Sequence, residues 1–487
     1  MVPKPTASTG SKFNLINKST PIMKLYIHAL FFMLATAGIS PLLGGETSSA
    51  ITFAPNLKLN DQERIVLERF VSHATTYAAG LTQEKVQQRC AESPEMFAWV
   101  EFPYLDCLLD SYELTGDTQY LDTFKKSFTL FTGILETGDD GFKGWYGKPI
   151  PPRRLADRPD LKIDELQMNF RAVGILSHWV ELARRQPEYA AANQATIAGY
   201  LDLMEKHLFP KWDSRGFFSD LNAEGGVYRG LDYPLCNPAK PGTTLSHEKS
   251  SIIVNGLLGL YRVTDNNLYM RRAVQLGTRF KHCLSIKDGH YEWMSWEPAG
   301  TWDISPTKED SWTVGWIAPD PKAEWYIASV SIAVNLYQCG LVFDDEDIAR
   351  FVATQKTRCW NGDWTNPQYR TVAGVSKADN KNVDGQFLSR GLSLYDSDLS
   401  RLAFAGPHEV GIFDQSTNSW KGCVGMASYV RAKYLVQPLL AKGKQPSVRT
   451  GEKFLTDPDN RAFYEKLKFP VTAPGKITPL KPSQMTR

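Results

Sequence analysis

Tyr112-Glu-Leu-Thr-Gly-Asp-Thr-Gln-Tyr120-Leu121 and Tyr261-Arg-Val-Thr-Asp-Asn-Asn-Leu-Tyr269-Met270 read almost alike, although they lie far apart in the chain. Each is a helix end, a polar turn and a new helix start. A Thr followed by Gly, Asp or Asn stops one helix and caps the next. The stretches before them, Trp99 to Ser111 and Ser250 to Leu260, are apolar at helical spacing. This is the hairpin unit of a helical repeat, and hairpins that cannot bury their apolar faces alone must share a core with neighbours. For 487 residues the expected fold class is therefore all-α, an α/α toroid (barrel) of helical hairpins.

Helical patterns are clearest at Asp61 to Ala79, Met96 to Thr115, Thr118 to Glu136, Asp164 to Arg185, Ala190 to Phe209, Leu245 to Val263, Leu268 to Cys283, Ala323 to Gln338 and Trp420 to Gln437. In Asp164 to Arg185 the apolar positions Leu166, Phe170, Val173, Ile175, Trp179 and Leu182 fit a buried stripe. The segments between helices are long and rich in Gly, Pro and Trp: Gly138 to Pro159, Trp212 to Thr244, Asp288 to Pro321 and Cys359 to Ser389. Loops of that length are usually functional, and these are expected to crowd one mouth of the toroid. No clean linker interrupts residues 51–440, which read as one catalytic domain, with 441–487 as a C-terminal extension.

Residues 1–50 differ from the rest. A polar lead precedes Met23-Lys24 and an apolar run from Leu25 to about Ile39, which ends in Ser48-Ser49-Ala50. A short apolar run after a Lys, followed by small residues, reads as a secretory signal peptide, with Met23 as an alternative start. It is too short for a membrane span, which needs about 20 apolar residues. The expected location is secreted or periplasmic. Lys4, Lys12, Lys18 and Lys24 stand against Glu46 in this leader, so a net charge of +2 becomes about −1 once it is removed. Nucleic acid is thus not an expected partner, and an acidic ligand needs a local cationic cluster. Cysteines 90, 107, 236, 283, 339, 359 and 423 form no CxxC pair and are odd in number, which argues against a disulfide scaffold or a zinc site.

Chemistry concentrates in four places. Between Lys143 and Arg158 five cations face only Asp157, and Trp145 and Tyr146 stand beside them. Arg153 and Arg154 offer donor forks to carboxylates, while aromatic faces stack on sugar rings, so the loop suits an acidic polysaccharide as readily as it suits a solvated surface. Asn169 follows in Asp164-Glu-Leu-Gln-Met-Asn-Phe-Arg171, at the start of an amphipathic helix. His247 opens another helix after a Gly- and Pro-rich loop, and Ser251 rules out an HExxH zinc motif there. Asp288-Gly-His-Tyr-Glu-Trp-Met-Ser-Trp-Glu-Pro298 holds His290, Tyr291, Glu292 and Glu297 as proton-transfer groups and Trp293 and Trp296 as a sugar platform, or as a packed strand. No P-loop, dinucleotide fingerprint or GxSxG elbow is present.

In this order, the cationic Trp-Tyr loop, Asn169, His247 and the His290-Tyr291 segment resemble polysaccharide lyase family 38 over roughly residues 55–440. The resemblance implies an α/α-barrel enzyme that cleaves alginate or glucuronan by β-elimination. It places the family's neutralising Asn on Asn169, its His on His247 and its catalytic Tyr on Tyr291. Substrate binding would fall to Trp145, Tyr146, Arg153, Arg154, His290, Trp293 and Trp296. Where the family carries an Arg ahead of its Tyr this chain has Lys287, so Tyr228, Tyr326 and Tyr369 stand as alternatives. The scheme calls for no metal and no cofactor. The competing functions are a glycoside hydrolase on the same toroid, with carboxylates drawn from Asp139, Asp140, Glu297, Asp303 and Asp363, and a non-catalytic glycan-binding protein.

Overall fold

The computed structural model describes residues 51–148, 162–230, 242–313, 323–364, 391–400, 433–434 and 448–469. Two compact units divide the chain, Met1–Ile51 and Thr52–Arg487, and all the described residues but Ile51 belong to the second. They are mostly helical, with short two-stranded antiparallel hairpins between helices.

Helix α1 (Asp61–Ala79) starts on a reciprocal cap, in which Asn60 Oδ1 accepts the Glu63 N–H at 2.8 Å and Glu63 Oε2 accepts the Asn60 N–H at 2.9 Å. After α2 (Gln83–Glu92), a π-helical turn (Phe97–Glu101) runs into α3 (Phe102–Thr115), which turns back into α4 (Gln119–Thr132). Helices α5 (Leu166–Arg184), α6 (Pro187–Ala192), α7 (Gln194–Leu203) and α8 (Pro210–Ser214) come next. They are followed by α9 (His247–Thr264), α10 (Asn267–His282), α11 (Ala323–Gln338) and α12 (Asp345–Thr354). Near the C-terminus lie α13 (Val448–Thr456) and α14 (Pro458–Glu465).

The repeated sequence is a repeated turn, atom for atom. Gly116 (φ 76°) and Asp265 (φ 59°) both take the left-handed conformation, and each N–H bonds back to a Tyr carbonyl, Tyr112 at 2.7 Å and Tyr261 at 2.8 Å. Thr115 Oγ1 accepts the Asp117 N–H, as Thr264 Oγ1 accepts that of Asn266. Asp117 Oδ1 then caps the Gln119 N–H, and Asn266 Oδ1 the Leu268 N–H. Asp tolerates the positive φ that Gly takes freely, so one geometry is reached by two residue types.

Helices α3, α5, α9 and α11 form a row in which neighbours run parallel, because early residues pair with early ones and late with late. Asp106 and Glu113 of α3 meet His178 and Arg185 of α5. Phe170 of α5 lies on Gly256 of α9, and Glu181 meets Arg262 further along. A Cβ at Gly256 would lie 2.6 Å from the Phe170 carbonyl oxygen, so only Gly permits this approach. Asn255 of α9 accepts from Asn335 of α11 at 2.5 Å, and Arg262 lies beside Cys339, just past the end of α11. Each member of the row leads by a short turn into its outer partner, so these turns share one end of the row. The longer segments 133–165, 204–246 and 283–322 return the chain to the other end.

Between row and partners lies an aromatic core. Trp145 packs edge-on to Phe102 and Phe128 and donates its indole N–H to the Phe131 carbonyl, while Trp179 donates to that of Leu121. The single buried stripe expected on α5 proves too narrow. From Leu166 to Ala183 every residue is buried except Arg171, Gly174, His178 and Glu181, as suits a helix enclosed by neighbours on most sides. The helix expected at Thr118 to Glu136 stops at Thr132, and that over Ala190 to Phe209 is broken at Asn193 and by a π-turn at Met204–Leu208. Trp420 to Gln437 lies outside the described residues except for 433–434. Among the described residues no helix is long and apolar enough to cross a membrane, and Cys90, Cys107, Cys283, Cys339 and Cys359 are buried free thiols.

Candidate active site

Tyr291 sits on a short strand (His290–Glu292) and is 1% exposed. Its hydroxyl donates to Asp347 Oδ1 at 2.5 Å, Lys281 Nζ holds the other oxygen of Asp347 at 2.7 Å, and its ring packs 5.0 Å from Phe351. A phenol enclosed in the core with its proton on a carboxylate cannot reach a polymer, and this corrects the assignment of Tyr291 as the base. The alternative Tyr228 is equally enclosed and donates to Asp213, while Tyr326 and Tyr369 lie outside the residues whose side chains are described.

His247 opens α9 but turns into the same core, its ring 4.9 Å from Phe280. Burial, aided by Arg279, drives its imidazole down to about 3, so it is neutral and brings no positive charge to a substrate. Asn169 lies half a turn around α5 from the open positions Arg171 and His178. It is wholly buried, and its amide N–H groups go to Asp164 Oδ1 at 2.8 Å and the Glu165 carbonyl at 2.6 Å. Asp164 belongs to a buried ionic cluster with Lys211 (2.6 Å) and Arg215 (3.0 Å), which Asp140 joins through Arg215. His247 and Tyr291 thus border one aromatic cluster, and Asn169 belongs to a different, ionic one.

The aromatic platform is corrected for the same reason. Trp145, Trp293 and Trp296 are each 5% exposed or less, since indole rings gain most by leaving water, and Trp296 donates to the Thr244 carbonyl. Tyr146 is half-buried with its hydroxyl 3.5 Å from Arg215, and His290 is buried, 3.3 Å from a Glu292 that also meets Arg358. Arg153 and Arg154 lie outside the described residues. Of the alternative acids, Asp303 is wholly buried and clamps Thr244, Ala299 and Gly300, whereas burial raises Glu297 to about 7.

The polar groups that face one another lie along the row. At the end with short turns they are paired: Glu113 with Arg185 (3.3 Å), Arg185 with Glu181 (2.8 Å), and Glu181 with Arg262 (3.0 Å). Midway, His178 Nδ1 is 3.1 Å from Asp106 and Nε2 3.7 Å from Glu113. Burial alone would lower this imidazole, but the hydrogen bonds and charges of Asp106 and Glu113 outweigh it and hold the ring at about 9.

The end with the long segments differs. Glu165 caps α5 by accepting from the Gln167 N–H (2.7 Å) and Met168 N–H (3.3 Å), and Gln167 Nε2 donates to its other oxygen. Burial first, then the neighbouring Glu95, pushes its carboxyl up to about 7 against the pull of Lys249. Gln167 Oε1 and, one turn on, Arg171 Nε are buried with no hydrogen-bond partner among the described residues. Unbonded buried polar atoms also occur elsewhere, at Asn169 and His247 among others, and what sets Gln167 and Arg171 apart is the carboxyl near neutrality beside them.

No family model, curated protein or solved structure matches this chain. Among the described residues no group of three or more His, Cys, Asp or Glu is arranged to hold a metal ion. Glu165 stands in the very stretch that pointed to Asn169, and what singles it out is Glu95, distant in sequence. In sequence, Gln167, Arg171, Gly174 and His178 fall at helical spacing along one line of the helix.

Proposed function

We propose that the loop end of this row is the active site of a polysaccharide lyase, and that the parallel helices with their outer partners belong to an α/α toroid whose mouth is that end. The observation that carries the proposal is Glu165, a carboxyl near 7 under the charges of Glu95 and Lys249, beside the unbonded atoms of Gln167 and Arg171. Cations and helix N-termini there suit the carboxylate of a uronate, of alginate or glucuronan type. With its carboxyl near 7, Glu165 is present in both protonated and ionised forms close to neutral pH. Ionised Glu165 takes the C5 proton and, now protonated, gives it to the departing O4 oxygen, so that the C4–O4 bond breaks as a C4–C5 double bond forms. Arg171 and Lys249 stabilise the charge that builds on the uronate carboxylate. With this reading goes export directed by residues 1–50, with 51–440 as the catalytic part.

A second reading draws on the same pair. Two interacting carboxyls, one raised towards 7, are what glycoside hydrolysis uses. Incubation with alginate and glucuronan separates the two. Elimination yields ultraviolet-absorbing unsaturated products, hydrolysis yields reducing ends without that absorbance, and Glu165→Gln should lower either rate by about 10² to 10⁴. A variant as fast as wild type would remove Glu165 from the chemistry.

A further inference from the structure

Trp99 is 43% exposed, and among the described residues it is the one exposed tryptophan. This exposure is held in place. Trp99 occupies the middle of the π-helical turn Phe97–Glu101, closed by the Phe102 N–H to the Phe97 carbonyl. Such a turn carries one more residue than an α-turn and swings a side chain off the helical stripe, a feature common at functional sites. On either side the chain is fixed. Phe97 packs on Phe131 at 5.1 Å and Phe102 on Trp145 at 6.0 Å, and both are fully buried. Glu101 accepts at 2.7 Å on both oxygens from Arg89. The residues around Trp99 are thus locked into the core while its own indole is left in water.

Its place in the fold suggests what covers it. The turn is the N-terminal extension of α3, so Trp99 stands at the loop end of the row. Four residues before it comes Glu95, the charge felt by Glu165. From Trp99 the half-exposed positions Pro103, Asp106 and Asp110 follow at helical spacing along α3. An uncharged aromatic face at the rim of a polar, carboxyl-bearing site matches a pyranose ring, which has apolar C–H faces and a polar edge.

We propose that Trp99 is a stacking platform for a sugar ring of the glycan that enters the site, a role that rests on the loop end being where a polysaccharide binds. A preset aromatic loses little conformational freedom on binding, so its contribution falls on affinity rather than on the chemical step. The full chain, as wild type, Trp99→Ala and Trp99→Phe, is titrated calorimetrically with alginate, glucuronan and neutral glucan oligosaccharides, and KM and kcat are measured on whichever polymer is cut. Trp99→Ala should weaken binding and raise KM roughly 2- to 10-fold with kcat within about twofold, and Trp99→Phe should recover part of the loss. Both variants should melt with wild type, since the side chain is exposed. Unchanged affinity in Trp99→Ala, a wild type that binds none of the oligosaccharides, or a loss confined to self-association or vesicle binding would each overturn the proposal. Failure of the catalytic reading shows separately, as a Glu165→Gln variant that cuts at the wild-type rate while Trp99→Ala still binds weakly.

Discussion

The two ends of the parallel row are made from similar residues and put to opposite uses. At the turn end Glu113, Arg185, Glu181 and Arg262 are joined in a chain of ion pairs across three helices, although Glu113 Oε2 itself accepts no hydrogen bond among the described residues. At the loop end a Glu cap, an amide and a guanidinium sit close together with polar atoms unbonded, and one glutamate feels the charge of another. The turn-end groups are also the more exposed, with Arg185 at 52% and Arg262 at 35% against 1% for Gln167, so the two ends differ in burial as well as in pairing. Paired charge fixes the spacing of helices, whereas unpaired polar atoms hold potential for a ligand at a cost to the empty protein. Substitutions at the two ends should therefore separate stability from turnover.

The largest effect on stability is expected beneath the loop end. Lys211 and Asp164 are both fully buried and 2.6 Å apart. Lys211→Met keeps much of the stem but strips one cation from a buried carboxylate, which should cost about 3 kcal/mol, with Arg215 as the remaining partner. Urea unfolding measures it, and a loss below about 1 kcal/mol would mean that the cluster is not the footing of α5.

A smaller effect belongs to the middle of the row. His178 is held at about 9, above the ordinary imidazole value, so its contribution is complete below about pH 6.5 and disappears as pH rises through 9. It should amount to roughly 2–3 kcal/mol. His178→Gln should flatten the fall in urea midpoint that wild type shows between pH 6 and pH 10. Equal pH dependence in the two proteins would show that Asp106 and Glu113 do not hold a charged ring.

The smallest effects compare the two turns. Gly116→Ala, at φ 76°, should destabilise by about 1 kcal/mol, and Asp265→Gly should stabilise by a few tenths to about 1 kcal/mol, because Gly enters the left-handed region without strain. Thermal melts of both variants moving in the same direction would break the equivalence of the turns.

The turns were legible because their chemistry is local: Thr, Gly or Asp, and Asp or Asn act within a few residues of themselves. Helix α1 was legible for the same reason, through Asn60 and Glu63. The site was not, because an aromatic-rich loop looks the same in sequence whether its rings face water or core. Trp145, Trp293 and Trp296 pack inward against groups contributed by other segments, and no local pattern announces that. Trp99 looked like part of an apolar helix, and only the π-turn exposes it. Glu165 owes its raised carboxyl to Glu95 and to burial, both products of tertiary packing.

Chemistry at the loop end, rather than in the core around Tyr291, is tested most directly by the turnover of Glu165→Gln and Tyr291→Phe on the same uronate polymer at pH 7, corrected for folded fraction. Glu165→Gln should lose about 10² to 10⁴ in kcat. It should also be the more stable protein above about pH 7, because a carboxyl raised in the folded state costs stability as it ionises. Tyr291→Phe should keep kcat within about threefold and lose roughly 1–2 kcal/mol of stability with its bond to Asp347. The reverse order, with Tyr291→Phe inactive but fully stable and Glu165→Gln as fast as wild type, would move the chemistry to the core and contradict a site at the loop end.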